Sequence, residues 1–554
     1  MGLDAGLDLE MPGSSGENDK KIAEAVNSGF LSIETLDLAA RRVVELILKS
    51  QEEKEADYKY NAEAHHALAR RAAAESAVLL KNDGSILPLK GGAKVAVIGL
   101  FAKTPRYQGS GSSNITPSRI DSPYEELVKL GFNASYADGT DLSEVKMLAA
   151  QSDAAVIFAG LPDAYESEGF DRNTLSMPQS HIQMIEAAAS ANPNAIVVLI
   201  ARSPIALPWA EKAKAILLAY LGGQAVGGGI ADLLSGKLNP CGKLAESWPL
   251  SIEDTPCFGR FATPDAISEE YRESIFVGYR YYDAAKKPLA YPFGYGLSYT
   301  RFSYSDLSVN LNEASVRVTN YGNKAGAEIT QLYVKKAEGS KEIFRPEKEL
   351  KGFEKAFLQS GESKTLKFPL DSRSFAFYSQ ASGNWAVEGG RYEILIGSSS
   401  RDIKLSAEVE APAAGDAILP KLNPESVYFN IPEGSFEVSD RDFEEILGDK
   451  IPPRHRSARE PYTVNSTIGD IKDNFIGRII GSAVKKQIGK MLSENADDGG
   501  KESINLMFGA MIAGMPLRSI SMMSGGALPR KRLEGIVDLM NHKFLKGLGK
   551  LLAK

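Results

Sequence analysis

Cysteine is almost absent. Cys241 and Cys257 are the only two in 554 residues, too few for a disulfide framework, so a reducing, cytoplasmic compartment is the expectation. No basic stretch leading into an apolar core follows Met1-Gly2-Leu3-Asp4, so these residues do not read as a secretory leader. The longest apolar stretch, 504–517, is broken by Gly509, Gly514 and Pro516. It falls short of the ~20 residues that span a bilayer, so no integral membrane segment is expected. Excess positive charge is also lacking: 64 Lys and Arg stand against 71 Asp and Glu, a net charge of −7, which argues against a nucleic-acid partner. The five histidines are scattered. The one neighbouring pair, His65-His66, projects in different directions on a helix, so no metal site is read and no cofactor is called for.

Apolar residues make up 43% of the chain and charged residues 24%, enough to bury substantial cores over three or four domains. GLDLEM (6–11) alternates as a strand, and two amphipathic helices follow at about 19–28 and 34–49. Residues 51–65 are polar and read as a linker. From 66 to 250 helical and apolar stretches alternate. A helix at 66–81 precedes four buried, parallel-type strands, KVAVIGLF (94–101), DAAVIFAG (153–160), NAIVVLI (194–200) and KAILLAYL (214–221). This is the pattern of a doubly wound α/β sandwich, an α/β fold with its loops gathered at the carboxyl ends of the strands. Residues 251–300 form an irregular, aromatic connecting segment. From 301 to 410 the period becomes two, with strands at 315–320, 329–334, 364–370 and 391–397, as in a β-sandwich. The extension 411–554 is mixed, then mostly helical. From residue 501 on it holds nine basic and three acidic residues, a charge that suits a membrane-surface or partner helix. Met507, Met511 and Met515 at helical spacing suit packing instead.

The residues with a chemical reading lie in YESEGFDR (165–172), directly after the strand that ends at Gly160. Glu166 and Glu168 thus occupy a loop at a strand's carboxyl end, where α/β sheets place ligands. A general acid is a carboxyl group of raised pKa near the leaving oxygen, and Tyr165 and Phe170 offer partial desolvation. On these residues alone, a Glu-rich surface loop reads the same. LGGQAVGGG (221–229) lacks the spacing of a dinucleotide-binding loop, and its glycines suit close packing of a helix. Trp209 in SPIALPW reads as a core anchor.

Longer motifs extend the reading. LPDAYESEGFDR (161–172), ESAVLLKNDGSILPL (75–89), RYQGSGSS (106–113), the run from Ala219 to Pro249, IFVGYRYYD (275–283) and YPFGYGLSYTRF (291–302) occur in the order and at the distances seen in family 3 glycoside hydrolases. The chain resembles the C-terminal portion of the β-glucosidase type over about residues 6–410, and ELKGFEK (349–355) resembles part of that family's fibronectin type III-like domain. The resemblance implies that Glu168, which directly precedes the Gly-aromatic-Asp-Arg pattern, is the general acid/base, with Glu166 the runner-up. It implies that Asp171 and Arg172 brace the loop, and that Arg106, Ser110 and Ser112 face the sugar pocket. PFGYGLSYT is expected to tie the sandwich to the α/β domain.

The same resemblance implies retaining hydrolysis of terminal β-D-glucosyl residues. An Asp nucleophile then lies ~5–5.5 Å from the acid/base. In the family that Asp sits in a Ser-Asp-Trp-Gly-like motif of an N-terminal barrel. Here the tryptophans are Trp209, Trp248 and Trp385, and no Asp precedes any of them. The expectation is that residues 1–50 are the remnant of the last unit of a (β/α)8 barrel, and that the chain by itself is inactive. Its partners would be a β-glucoside or small oligosaccharide and a separate family 3 barrel chain. The competing reading is a non-catalytic carbohydrate-binding or structural module derived from such an enzyme.

Overall fold

The computed structural model describes the chain except for residues 1, 12, 15, 111–112, 169–170, 261–268, 340–341, 417–421, 453–460, 494–508, 510, 524–527 and 553–554. Two compact units result. The smaller comprises 1–61, 262–269 and 453–554, the larger 62–261 and 270–452.

In the smaller unit, the two helices expected near the start form as α1 (Glu17–Asn27) and α2 (Ile33–Glu52). The Ser32 hydroxyl caps α2 by accepting from the Thr35 amide at 3.1 Å. The strand expected at 6–11 does not form: described residues 7–10 have no regular structure, and Leu7, Leu9 and Met11 are exposed. Alternation supplies a side for burial but not the neighbour whose backbone a strand must pair with.

The larger unit opens with α3 (Ala62–Ser76), followed by β1 (Val78–Asn82). The helix expected to run through residue 81 therefore stops where Val78-Leu79-Leu80 begins. Next come β2 (Lys94–Ile98), α4 (Pro123–Lys129), β3 (Asn133–Ala137), α5 (Leu142–Ala150) and β4 (Ala154–Gly160). They are followed by α6 (Gln179–Ala191), β5 (Ala195–Ile200), β6 (Ala215–Leu218) and α7 (Val226–Leu234). The sheet order is β1-β6-β5-β4-β2-β3, parallel except for the antiparallel edge β1. Both faces are covered, which is why the central strands read as unbroken apolar runs. On one face, α5 and α6 press Val145, Ala149, Met184 and Ile185 onto Ile98, Ile157 and Val197. On the other, α3, α4 and α7 press Ala74, Leu127, Val226 and Ile230 onto Val97, Val156 and Val198.

The glycine run expected to admit a helix close to the sheet instead brings α7 against α3. A Cβ at Gly229 would lie 3.0 Å from that of Ala73, and one at Gly228 would lie 2.6 Å from Arg70 Nη1. Arg70 is itself held bidentately by Asp232, at 2.7 and 2.8 Å, and by Glu126. Trp209 is fully buried in the sheet core.

The connecting segment returns to this domain through β7 (Trp248–Pro249), α8 (Tyr279–Ala284) and β8 (Leu289–Tyr291), with β8 pairing on β7. The sandwich then follows. One sheet is β9 (Phe302–Val309), β10 (Glu313–Asn320) and β13 (Ser363–Pro369), in the order β13-β10-β9. The other is β11 (Gly326–Lys336), β12 (Glu349–Leu358), β16 (Gly390–Ser399) and β17 (Asp402–Ala411), in the order β12-β11-β16-β17. Helix α9 (Ser372–Phe375) leads into a side hairpin of β14 (Ala376–Ser379) and β15 (Asn384–Val387). PFGYGLSYT joins the two domains as expected: Tyr295 donates to Leu80 O at 3.1 Å and Tyr299 to Leu233 O at 2.9 Å on the α/β side, while Gln331 Nε2 of β11 donates to Gly294 O at 3.0 Å.

The first part of the C-terminal extension belongs to this larger unit. Helix α10 (Asp440–Leu447) and Tyr428, Phe436 and Val438 build a core with Phe276, Tyr281 and Tyr282. The remaining helices, α11 (Phe475–Ser493), α12 (Leu517–Met523), α13 (Arg530–Met540) and α14 (Phe544–Leu552), lie in the smaller unit around Ile471, Leu517 and Leu533. Of the three methionines, Met507 lies outside the described residues and Met511 is exposed, so Met511 is not a packing residue.

Gly160 ends β4 at φ 153°, and a Cβ there would collide with the Ile200 carbonyl. Gly160→Ala should therefore cost about 2–4 kcal/mol from strain and overpacking. The shift in denaturant midpoint of the larger unit measures it, and a change below about 0.5 kcal/mol would show that the end of β4 yields.

Candidate active-site loop

Strand order reverses between β2 and β4. Chain order runs outward from β2 to β3 on one side and from β4 through β5 to β6 on the other. The loops after β2 and β4 flank that switch point, where open α/β sheets bind ligands. Arg106 and Ser110 lie in the first loop, and Glu166, Glu168, Asp171 and Arg172 in the second.

Arg106 joins the two loops. It is buried. Its Nε donates to Asp163 Oδ1 at 2.6 Å, its Nη1 to Leu161 O at 2.7 Å and Glu166 Oε2 at 2.8 Å, and its Nη2 to Glu166 O at 3.0 Å. Every nitrogen of the guanidinium thus serves the second loop. Ser110 is buried with its hydroxyl unpartnered among the described residues, and Ser112 lies outside them.

Glu166 is 2% exposed. Besides Arg106, its carboxylate accepts from the backbone amides of Arg202 and Ser203, each at 3.0 Å, and from the Ser203 hydroxyl. Burial alone would raise its pKa. The Ser203 hydroxyl, the Arg202 amide and Arg106 outweigh that and hold it below the ordinary carboxylate value. A general acid needs the reverse, so this environment makes Glu166 an ionised anchor tying the loops after β2, β4 and β5 together. Arg172 braces the loop, though not through Asp171: its Nη1 donates to Ser203 Oγ at 2.8 Å and Pro204 O at 3.0 Å, and lies 3.9 Å from Glu166. Asp171 is exposed, outside this network. Two residues beyond the anchor, Glu168 is half-buried.

Three participants went unread in the sequence. Asp163 and Ser203 lay inside quoted motifs, but nothing in one dimension pairs them with Arg106 or Glu166. Glu246 follows the same pattern. Its residue surface meets solvent, yet the protein crowding its carboxyl, with the charge of Glu166 second, pushes it up to about 7. Among the described residues no His, Cys, Asp and Glu group is arranged to hold a metal, and no helix is long and apolar enough to cross a membrane.

Residues 77–299 match the Glycosyl hydrolase family 3 C-terminal domain, and residues 328–400 the Fibronectin type III-like domain. Thermostable beta-glucosidase B of Acetivibrio thermocellus is 44% identical over 565 residues, covering 98% of this chain and 68% of that protein. The chain belongs to glycoside hydrolase family 3. Within the family, the exo-alpha-(1->6)-L-arabinopyranosidase of Bifidobacterium breve is 43% identical over 452 residues, covering 77% of this chain and 59% of that one. The crystal structure of the Bifidobacterium adolescentis GH3 beta-glucosidase aligns with a TM-score of 0.70 at 41% identity, over 75% of this chain and 63% of that chain. This chain thus spans 59–68% of the length of these relatives. The α/β sandwich and the fibronectin type III-like sandwich are the family's; residues 1–50 lie outside both matched domains.

Two outcomes follow. Glu166→Gln should destabilise the larger unit by about 2–4 kcal/mol at neutral pH, because it removes one of the two counter-charges of buried Arg106 and the charged acceptor of the Arg202 and Ser203 amides. Since the Glu166 pKa is lowered by folding, its contribution is complete above pH 4.5 and is lost as pH falls below it; the variant's denaturation profile should be flatter over that acid range. Glu246, labelled at the carboxyl carbon, should titrate with an NMR midpoint near 7. A midpoint near 4.5 would show that its carboxyl is fully hydrated.

Proposed function

We propose that this chain supplies the acid/base half of a retaining β-glucosidase site, with Glu168 as the acid/base. What supports the reading most is the loop's position: it follows β4 at the switch point and is pinned at Glu166 by Arg106, Arg202 and Ser203. Catalysis by proton transfer needs a carboxyl held within reach of the leaving oxygen, and a rigid anchor two residues away provides that constraint.

In the first half-reaction, Glu168 protonates the leaving oxygen while a nucleophilic carboxylate attacks the anomeric carbon. In the second, Glu168 takes a proton from water, which attacks the same carbon and releases the sugar. The nucleophile comes from a family 3 barrel outside these 554 residues, and the chain alone is inactive. The hydroxyls of Ser110 and Ser167 and the Nε and Nη2 atoms of Arg172, buried without partners among the described residues, suit groups that the barrel or a sugar would satisfy. A β-glucoside is the substrate of choice given the names of the relatives, although the arabinopyranosidase has nearly the same identity. That similarity argues that selection of the sugar ring lies largely in the barrel. The two free thiols, Cys241 and Cys257, are compatible with a cytoplasmic enzyme.

The test is hydrolysis of p-nitrophenyl β-glucoside by the chain alone and with a separately expressed family 3 barrel. Activity is expected only in the mixture; activity of the chain alone would place a nucleophile within it. In the active mixture, Glu168→Ala should slow aryl glucosides with poor leaving groups about 10²–10⁴-fold and those with good ones far less, because only the former need protonation. Equal losses would remove Glu168 from the role.

A further inference from the structure

The side hairpin β14–β15 forms one wall of a groove of about 490 Å³ in the larger unit. The facing wall is the segment 342–346 between β11 and β12, and Ile446 of α10 also lines it. The groove shares no residue with the loops that carry Arg106, Glu166 and Glu168.

Its lining joins flat aromatic surfaces to paired charges. Tyr378 and Trp385 stand edge to face with ring centroids 5.3 Å apart, and they remain 50% and 40% exposed. Arg373 fixes the indole from one side, its guanidinium carbon 3.3 Å from the ring centroid. Arg345 lies 4.9 Å over Phe377 and holds Glu388 at 3.1 Å. Its buried Nε has no partner among the described residues. Glu349 is matched by Lys351 at 3.1 Å and Arg280 at 3.8 Å. An anion would meet Arg280, Arg345 and Lys351 already paired with carboxylates, and would have only Arg373, itself stacked on the indole, to pair with afresh. A long apolar segment would bury these charges at a cost. An uncharged saccharide suits both features: its CH faces lie on Tyr378 and Trp385, and its hydroxyls exchange hydrogen bonds with the arginines and carboxylates.

We propose that this groove of the fibronectin type III-like domain is a binding site for a neutral oligosaccharide chain. It would hold a glycan at a second position on the enzyme. Only the choice of a β-linked probe rests on the proposed glucosidase function.

The tryptophans make the test specific. Trp209 and Trp248 are buried, so Trp385 is the accessible one. Cellotetraose titrated into the full chain should protect Trp385 from acrylamide quenching, saturably and on the order of millimolar. Arg373→Ala and Tyr378→Ala, shown folded by circular dichroism, should each raise the half-saturating concentration at least about fivefold. No protection up to about 10 mM, or wild-type saturation in both folded variants, would overturn the proposal. So would protection by glucose 6-phosphate but not by cellotetraose, which would assign the groove to an anion. Binding is read without turnover, so it fails independently of the acid/base assignment. A chain inactive with every barrel can still protect Trp385, and an active one can leave it unprotected.

Discussion

Arg106 and Glu166 lie sixty residues apart in the chain, and each is the other's reason for being buried. Neither charge is tolerable alone in that position. Together with the Arg202 and Ser203 amides they form a closed set of charge-assisted hydrogen bonds. The set spans the loops after β2 and β4, which flank the reversal of sheet order, and the loop after the neighbouring β5. The path of the loop carrying Glu168 depends on that knot. The raised pKa of Glu246 owes most to the protein crowding its carboxyl, and the charge that Arg106 and its neighbours keep on Glu166 adds to it.

The same device recurs where domains meet. Asp283 in the connecting segment is buried between Lys348 at 2.9 Å and Arg401 at 2.7 Å, both from the sandwich region. Lys243 reaches Glu328 of β11 at 3.2 Å, and Tyr304 donates to the same carboxylate at 2.8 Å. Removing one member of such a set strands another charge in a low-dielectric site, so these contacts constrain the relative placement of the α/β and sandwich domains. The segment 422–452 completes the larger unit by closing the aromatic core around Phe276 and Tyr428.

The strands most legible in the sequence were β4 and β5, whose residues are apolar on both faces because helices cover both. Strands β1 and β3 were missed: β1 continues directly from a helix, and NASYA of β3 lacks a run of branched residues. Four sandwich strands were read where seven form. Strand β17 alternates with many charges and β12 is half exposed, so their apolar signal is weak. The alternation at 6–11 misled for the opposite reason, since a pattern of side chains cannot supply a pairing partner. In the site, the loop itself was legible and the partition of its two glutamates came from family pattern. That Arg106 turns inward, and that Asp171 stays out of the network, was not legible.

Composition and local pattern by themselves determined the fold class and the order of domains, because these follow from which residues are apolar and how often they recur, while the loop in which the chemistry is sought came from the resemblance of its motif to the family's. Only the tertiary structure decided the electrostatic roles. Whether a carboxyl group is an acid or an anchor depends on what surrounds it in space. For Glu166 those surroundings come from residues up to sixty positions away, brought together by the switch in strand order.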